Sequence, residues 1–352
     1  MNTVESLIET VKRNCDISDA RHWGFFSICG LLMRYRDLFR SERGLSPWEP
    51  IDRAEISEWI QRKELKWQEL EEANFDDLNV GDMRTDPFDA FSINSRLRSE
   101  GLVYGAGYGL YMKPSFFLAR LTGSREVYDY TVCYAGREIA RDIFASPGML
   151  QGRCIFIRTE PLRTLLWEKF TECGARKESC TVNPFSSYGF EGPGPGMAGF
   201  AERFDGVVQD YADIVLHHEV GEAIEDVPEW GDILVSTKDR GAEYFLRAVK
   251  DLIADTSAYG PLGRIITDRN SRVLGLFVSF VERYRLQLFP EIRQAYEGFM
   301  QDRDWSRLEM TRVRGYERFT VLRQEILEVY RSTGPGEHMI GRIGELRRQF
   351  GL

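Results

Sequence analysis

The chain has 352 residues, which is enough for one large domain or two moderate ones with a substantial buried core. Its 43% hydrophobic and 29% charged residues are typical of a globular protein and exclude an intrinsically disordered one. The formal net charge of −9 disfavours contact with phosphate backbones, so we expect no nucleic-acid partner.

The N-terminus, MNTVESLIETVKRNCD, has the pattern of a charged amphipathic helix rather than a signal peptide. The longest apolar run, WGFFSICGLLM, is shorter than the about 20 residues that cross a bilayer, so no membrane contact is expected. The six cysteines form no CxxC motif and stand in apolar stretches, as is typical of free thiols. These features together predict a cytoplasmic protein.

The first part of the chain predicts helices. One is expected from Asp19 through RHWGFFSICGLLMRYRDLFRSERG, and Gly44 marks its end. A second follows Asp52, where apolar residues recur every three or four positions. Asp86 and Pro87 supply the N-cap and first-turn proline of a third, shorter helix.

The middle of the chain predicts a small, mainly antiparallel sheet. The segments LVYGAGYGLYM, PSFFLARL and VYDYTVCYA are rich in valine, tyrosine and phenylalanine, and LTGSRE supplies a hairpin turn between the last two. CIFIR is one further short strand, and a helix is expected over PLRTLLWEKFTEC.

A glycine- and proline-rich loop follows at residues 174–199 and contains the run GPGPG, which fits neither a helix nor a central strand. Loops of this length are lids, binding loops or disordered linkers. We expect a small-molecule ligand under residues 183–199, with Asn183, Tyr188 and Glu191 lining its pocket.

From Met197 to the C-terminus the pattern is helical. The predicted fold class is therefore α+β, predominantly α-helical, with the small sheet in the middle of the chain. We predict an N-terminal helical region (1–100), a small α+β region (101–175) and a C-terminal helical region (176–352), or one compact unit made of all three.

The motif HHEVGE in the C-terminal region holds two of the four histidines of the chain. On a helix, residues three or four apart share a face. This places Asp213 beside His217 on one edge of the helix and His218 beside Glu222 on the next. Gly221 costs the helix about 1 kcal/mol relative to alanine, which indicates close approach of another backbone, a ligand or a metal-bound group.

The stretch HEVGEA resembles the HExxH motif of zinc metallopeptidases, in which two histidines bind zinc and the glutamate is the general base. The resemblance implies that His218 is a ligand and Glu219 the base. Glu222 stands where the family has its second histidine and would be a carboxylate ligand. Glu243 lies at the distance of the third ligand, although Arg247 follows it where the family has an aspartate.

Two other chemistries fit the same residues. Helical di-metal proteins draw Glu/His pairs from several helices. The pairs that would serve here are Asp19 with His22 and His218 with Glu222, completed by Asp251 and Asp255.

The other chemistry needs no metal. Asp213 would orient His217 as a general base, with water or Cys180 as the nucleophile.

As a whole the chain resembles a bacterial protein family of unknown function, through the segments HWGFF, HHEVGEA and IFIR…LRTLLWEKF. That resemblance implies no activity. The leading hypothesis is a divalent-metal site, zinc or iron, centred on His218 and Glu222, with Glu219 or His217 in proton transfer and a hydrolytic role. The alternatives are a non-catalytic helical binding or scaffold protein without metal and a di-metal carboxylate-type oxidoreductase.

Overall fold

The computed structural model describes residues 3–109, 112–175, 183–190, 195–196 and 198–352. The chain forms two compact units, Met1–Lys169 and Phe170–Leu352. The boundary between them falls inside one helix, Thr159–Ala175. The three regions expected from the sequence stay a prediction of domain organisation.

The N-terminal unit begins with helices α1 (Thr3–His22), α2 (Ile28–Arg43) and α3 (Arg53–Leu70). Gly44 ends α2 in the left-handed conformation, and α3 begins after Asp52, both as predicted; the Asp52 side chain is the N-cap of α3. The prediction of a single helix from Asp19 onward is wrong. α1 ends at His22, and a separate helix, α2, begins after Ser27, whose hydroxyl accepts a hydrogen bond from the Gly30 amide.

A short hairpin of β1 (Leu78–Val80) and β2 (Met83–Thr85) precedes α4 (Ala90–Leu97). The N-cap of α4 is Asp89, whose side chain accepts a hydrogen bond from the Ser92 amide. The predicted cap at Asp86 is therefore three residues too early.

The sheet of this unit has five strands in the order β3-β4-β5-β7-β6. The strands are β3 (Leu102–Tyr108), β4 (Pro114–Val127), β5 (Tyr130–Arg141), β6 (Gly148–Gln151) and β7 (Cys154–Arg158).

This sheet is larger than predicted and mixed, since β5 and β7 pair in parallel while the other neighbours are antiparallel. Its edge strands β3 and β6 also contact each other, so the sheet curls around the side chains of one face. The predicted hairpin turn at LTGSRE is also wrong. Those residues belong to β4, and the chain turns at Tyr128, which has a φ of 50°.

The last helix of the N-terminal unit, α5 (Thr159–Ala175), continues into the C-terminal unit, which is otherwise helical in the residues that the structure describes. Its further helices are α6 (Phe200–Glu225), α7 (Pro228–Ser236), α8 (Arg240–Thr256), α9 (Pro261–Asp268), α10 (Ser271–Ser279), α11 (Arg283–Leu288), α12 (Glu291–Asp302), α13 (Trp305–Thr333) and α14 (Glu337–Gln349). The predominantly helical α+β class is confirmed. Among the described helices, none combines the length and the apolar character that a membrane span requires.

The cysteines differ in state. Cys15, Cys29, Cys133 and Cys154 are free thiols. Cys173 is disulfide-bonded, so the expectation of free thiols throughout is wrong.

A buried charged cluster connects α1 to the sheet. Lys113 Nζ lies 3.0 Å from Asp19 Oδ1 and 3.1 Å from Asp142 Oδ1, and all three side chains are shielded from solvent. The amide of Ile143 donates to both oxygens of Asp19. Because burial outweighs the attraction of Lys113, the pKa of Asp19 is raised to about 7.

This raised pKa predicts how stability changes with pH. Between the unfolded pKa of an aspartate and about 7, folded Asp19 binds a proton that the unfolded chain has released. The free energy of unfolding should therefore fall as pH rises through that window, by up to about 1.4 kcal/mol per pH unit from this group. Urea unfolding at several pH values should show this slope, and Asp19→Asn should remove it.

Asp129→Asn, at an exposed turn, is the matched control and should keep the wild-type slope. An Asp19→Asn slope equal to that of the wild type would contradict the assignment of the proton to Asp19.

Candidate metal centre on helices α6 and α8

The HHEVGE motif lies in the last two turns of α6, which begins after Gly199 and ends where Val227 and Pro228 start α7. Apolar residues before and within the motif, such as Leu216 and Val220, are buried and hold this part of α6 against its neighbours. The two histidines consequently face different surroundings, as the edge-by-edge sequence pattern predicts.

α6 crosses α8 at Gly221. A Cβ atom at this position would lie 2.6 Å from the backbone oxygen of Ala254 and 3.1 Å from its Cα. Real side chains do not approach a backbone that closely, so this crossing requires glycine. The predicted close approach of another backbone at Gly221 is confirmed, and it brings the His218 edge of α6 onto α8.

His218 is held between carboxylates of both helices. Its Nδ1 lies 2.8 Å from Oδ1 of Asp255 on α8, and its Nε2 lies 3.5 Å from Oε1 of Glu222 one turn further along α6. Asp255 is 3% exposed, so this hydrogen bond is shielded from water and fixes the plane of the imidazole. With the Nδ1 proton directed at Asp255, Nε2 is the ring nitrogen that faces the other carboxylates.

Asp251 completes a group of three ligand-type side chains. One ligand atom each from His218, Glu222 and Asp251 lies within 4.8 Å of the other two. Asp251 and Asp255 are four residues apart on α8 and therefore present adjacent carboxylates to α6. Among the described residues, this is the group of histidine, cysteine and acidic side chains whose ligand atoms converge.

Two cations border the group. Lys250 Nζ lies 2.8 Å from the second oxygen of Glu222. Arg285 on α11 lies 3.3 Å from Oδ2 of Asp255 and 4.0 Å from Oδ2 of Asp251, and it donates to the carbonyl of Phe280. Lys250 and Arg285 thus contact Oε2 of Glu222 and Oδ2 of Asp255, whereas Oε1 and Oδ1 of the same carboxylates contact His218.

Burial and close charges shift the pKa values of these groups in opposite directions. Burial opposes the charged form of His218, but Asp255 and Glu222 outweigh it and raise the pKa of His218 well above its usual value. Burial likewise opposes ionisation of Glu222, yet His218 and Lys250 hold its pKa well below the usual range. The pKa of Glu219 rises to about 7, through burial first and the charge of Glu222 second, and burial also raises the pKa of Asp251.

Family models match nearly the whole chain. Residues 6–158 match the N-terminal domain of a family of unknown function, DUF6866, and residues 163–347 match its C-terminal domain. The chain belongs to the DUF6866 family. The resemblance to a family of unknown function, drawn from the sequence, is thus confirmed. No curated protein and no solved structure is detectably similar to the chain.

The HHEVGE motif falls in the C-terminal DUF6866 domain, and its predicted residues lie in different places. His218 and Glu222 belong to the converging group, and Glu219 is within reach of its charges. Asp213 is exposed, and His217, whose Nδ1 lies 3.3 Å from the carbonyl oxygen of Tyr259, is outside the group of three.

Glu243 is buried in the first turn of α8 and lies 2.9 Å from the Arg247 guanidinium, outside the group of three. Asp251, two helical turns later on α8, belongs to the group of three, and the role in metal binding expected of Glu243 stays a prediction. Sequence reasoning named Asp251 and Asp255 only as carboxylates for a di-metal site, and it missed Lys250 and Arg285. The signal for the aspartates was present in KDLIAD, where two acids four residues apart interrupt a buried helix face.

The predicted ligand pocket under residues 183–199 is described in part. Asn183 lines a cavity of 720 Å³ together with Ser186, Arg272 and other side chains of this unit. The hydroxyl of Tyr188 donates to Asp210. Cys180 and Glu191 lie outside the described residues, and a ligand in this cavity stays a prediction.

Proposed function

We propose that this DUF6866 protein binds one divalent metal ion through His218, Glu222 and Asp251 and uses it in a hydrolytic reaction. The observation that supports the proposal best is the convergence of the three ligand atoms within 4.8 Å of one another. Ligands about 2.1 Å from a zinc ion lie roughly 3–4 Å apart, so side-chain rotations alone would close the set around an ion. An imidazole with two carboxylates suits zinc or iron.

The position of Asp255 supports the same proposal. Histidines that bind metals usually donate their other ring N–H to a carboxylate, which fixes the tautomer and the ring orientation. Asp255 meets this description at 2.8 Å from Nδ1 of His218. It is itself held by Arg285, so the orienting carboxylate is anchored from a third helix.

The charge of the cluster also suits a dication. Four carboxylates (Glu219, Glu222, Asp251 and Asp255) carry four negative charges when ionised, and Lys250 and Arg285 carry two positive ones. With His218 neutral, as a ligand must be, the sum is −2, which one divalent ion balances. Lys250 would keep its contact with Oε2 of Glu222 while Oε1 turned to the metal.

Each residue then has a chemical task. A divalent ion here would supply a Lewis acid and a water of lowered pKa. Glu219 precedes the Gly221 crossing, and the charges of His218, Glu222 and Asp251 all act on its carboxyl group. It is our candidate for the group that accepts a proton from that water, as the resemblance to HExxH implies.

Metal content tests the proposal. Protein purified without a histidine tag should carry about one equivalent of zinc or iron by elemental analysis. His218→Ala, Glu222→Gln and Asp251→Asn should each weaken metal binding by more than the roughly 10–100-fold that loss of a ligand-orienting partner costs. Glu202→Gln, exposed in the first turn of the same helix, should bind as the wild type does.

Less than about one-tenth of an equivalent, unchanged in His218→Ala and not restored by added metal, would overturn the proposal. The cluster would then be a metal-free ion-pair network that holds α6 against α8, and the protein would be a non-catalytic scaffold. The ion pair between Lys250 and Glu222 is the observation that favours this alternative. In that case Glu222→Gln would lower stability and leave metal content at the background level.

A further inference from the structure

Two free cysteines of the N-terminal unit are in contact inside the curled sheet. Cys133 on β5 and Cys154 on β7 lie with their sulfur atoms 3.6 Å apart. β5 and β7 pair in parallel with Thr131 opposite Cys154, so Cys133 lies two residues further along, on the same face. Phe117 and Phe156 pack beside them on that face.

An arginine accompanies the pair. Nη2 of Arg98 lies 3.6 Å from Cys133 Sγ and donates to it, as does the thiol of Cys154. The hydrogen bond from Cys154 lowers the pKa of Cys133 to about 7, and the charge of Arg98 helps to overcome the opposing effect of burial. A hydrogen-bonded thiolate beside a guanidinium is the environment of reactive rather than structural cysteines.

The pair is accessible from one side. Cys154 is partly exposed and lines a cavity of 600 Å³, whereas Cys133 is fully buried behind it. Arg98, Phe91 and Phe156 also line this cavity. A small molecule that enters it therefore meets the sulfur of Cys154 first, with Cys133 placed behind to react second.

We propose that Cys133 and Cys154 form a dithiol site that reduces a hydroperoxide and closes to a reversible disulfide. The two sulfurs share one proton, which rests on Cys154 because the hydrogen bond to Cys133 and burial raise the pKa of the Cys154 thiol; Cys154 becomes the nucleophile when it passes that proton to Cys133. This proposal concerns the N-terminal unit and is independent of the metal site.

The reaction takes place in two steps. The Cys154 thiolate attacks the peroxide, so that an S–O bond forms, the O–O bond breaks and the leaving oxygen takes a proton from solvent. Cys154 is now a sulfenic acid, oxidised by two electrons, and the hydroperoxide is reduced to an alcohol or water. Cys133 then attacks the sulfur of Cys154, so that the S–S bond forms, the S–O bond breaks and water leaves with the Cys133 proton.

The offset between the strands makes this disulfide reversible. Diagonal positions on neighbouring strands are about 7–8 Å apart at Cα, which is beyond the usual span of a disulfide, so closing the bond requires the backbone of β5 or β7 to shift. The bond would therefore be strained, and strained disulfides are the ones that thiols reduce readily.

The full-length protein should be treated with hydrogen peroxide, alkylated and mapped by mass spectrometry. We expect a disulfide between Cys133 and Cys154 that dithiothreitol reverses, formed about tenfold faster than Cys29 is oxidised. Cys29 is exposed and free, and it serves as the internal control in the same sample. Oxidation of Cys29 while the pair stays reduced, or over-oxidation of Cys154 without a disulfide, would overturn the proposal.

Variants separate the parts of the site. Cys133→Ser should accumulate a sulfenic acid on Cys154, which a dimedone probe captures. Arg98→Met should slow disulfide formation by about tenfold, whereas Arg96→Met, an exposed neighbour at the end of α4, should not. If disulfide formation were as fast in Arg98→Met as in the wild type, the role of Arg98 in the dithiol site would be contradicted. Should Cys133→Ser fail to fold, the disulfide map of the wild-type chain decides the question alone.

Discussion

Replacing Asp255 by alanine is expected to lower the free energy of unfolding by about 3–5 kcal/mol, because it leaves two partly buried cations without their nearest carboxylate. Asp255 is 3% exposed and contacts both His218, at 2.8 Å, and Arg285, at 3.3 Å. Once it is removed, Arg285 keeps only Asp251, at 4.0 Å, as a partner among the acids of the cluster. Urea denaturation monitored by circular dichroism measures the loss.

Glu202→Ala is the matched control, since Glu202 lies on α6 but is exposed. It should change the free energy of unfolding by no more than about 0.5 kcal/mol. Asp255→Asn keeps the shape of the side chain and removes its charge, so it should fall between the two. An Asp255→Ala protein as stable as Glu202→Ala would contradict the buried ion-pair geometry.

Asp255→Asn also distinguishes a metal site from a metal-free ion-pair network. If Asp255 orients His218 for a metal, the asparagine variant should bind metal about 10–100-fold more weakly. In a metal-free network the same variant would lose stability with no change in metal content. Both quantities can be measured on one preparation, so a stability effect cannot be mistaken for an effect on metal binding.

The sequence was sufficient to predict the helix of the candidate site and its two candidate edges, but it left open which of the two faces another helix. Helical spacing pairs His218 with Glu222 without any knowledge of tertiary structure, and a mid-helix glycine is costly enough to indicate a close neighbour. Local periodicity does not show which helix that neighbour is. Lys250 and Arg285 were missed for this reason. Each stands on a partly exposed helix face, and the sequence pattern of such a face is the same whether or not another helix packs on it.

The sheet shows the same limit. Its strand-rich composition was recognised, but the parallel pairing of β5 with β7 joins segments separated by β6, and no local pattern encodes that choice. Cys133 and Cys154 are 21 positions apart and became neighbours only through this pairing. Their spacing matches no cysteine motif, so sequence reasoning treated them as separate hydrophobic residues.

Gly221→Ala should destabilise the protein by about 2 kcal/mol, although alanine favours a helix over glycine by about 1 kcal/mol. The new methyl group would lie 2.6 Å from the Ala254 carbonyl oxygen, which belongs to the backbone and cannot rotate away. α6 would have to move off α8, which lengthens the contact between His218 and Asp255. Thermal unfolding measures the first effect, and metal affinity measures the second.

Gly206→Ala tests the same substitution in the same helix without the crossing. A Cβ at Gly206 meets nothing within 4 Å, so only the helical preference acts and stability should rise by up to about 1 kcal/mol. The two variants should therefore change stability in opposite directions, with a difference of about 3 kcal/mol. If both were stabilising, α6 and α8 would not cross at Gly221, and His218 would have no fixed position against Asp251 and Asp255.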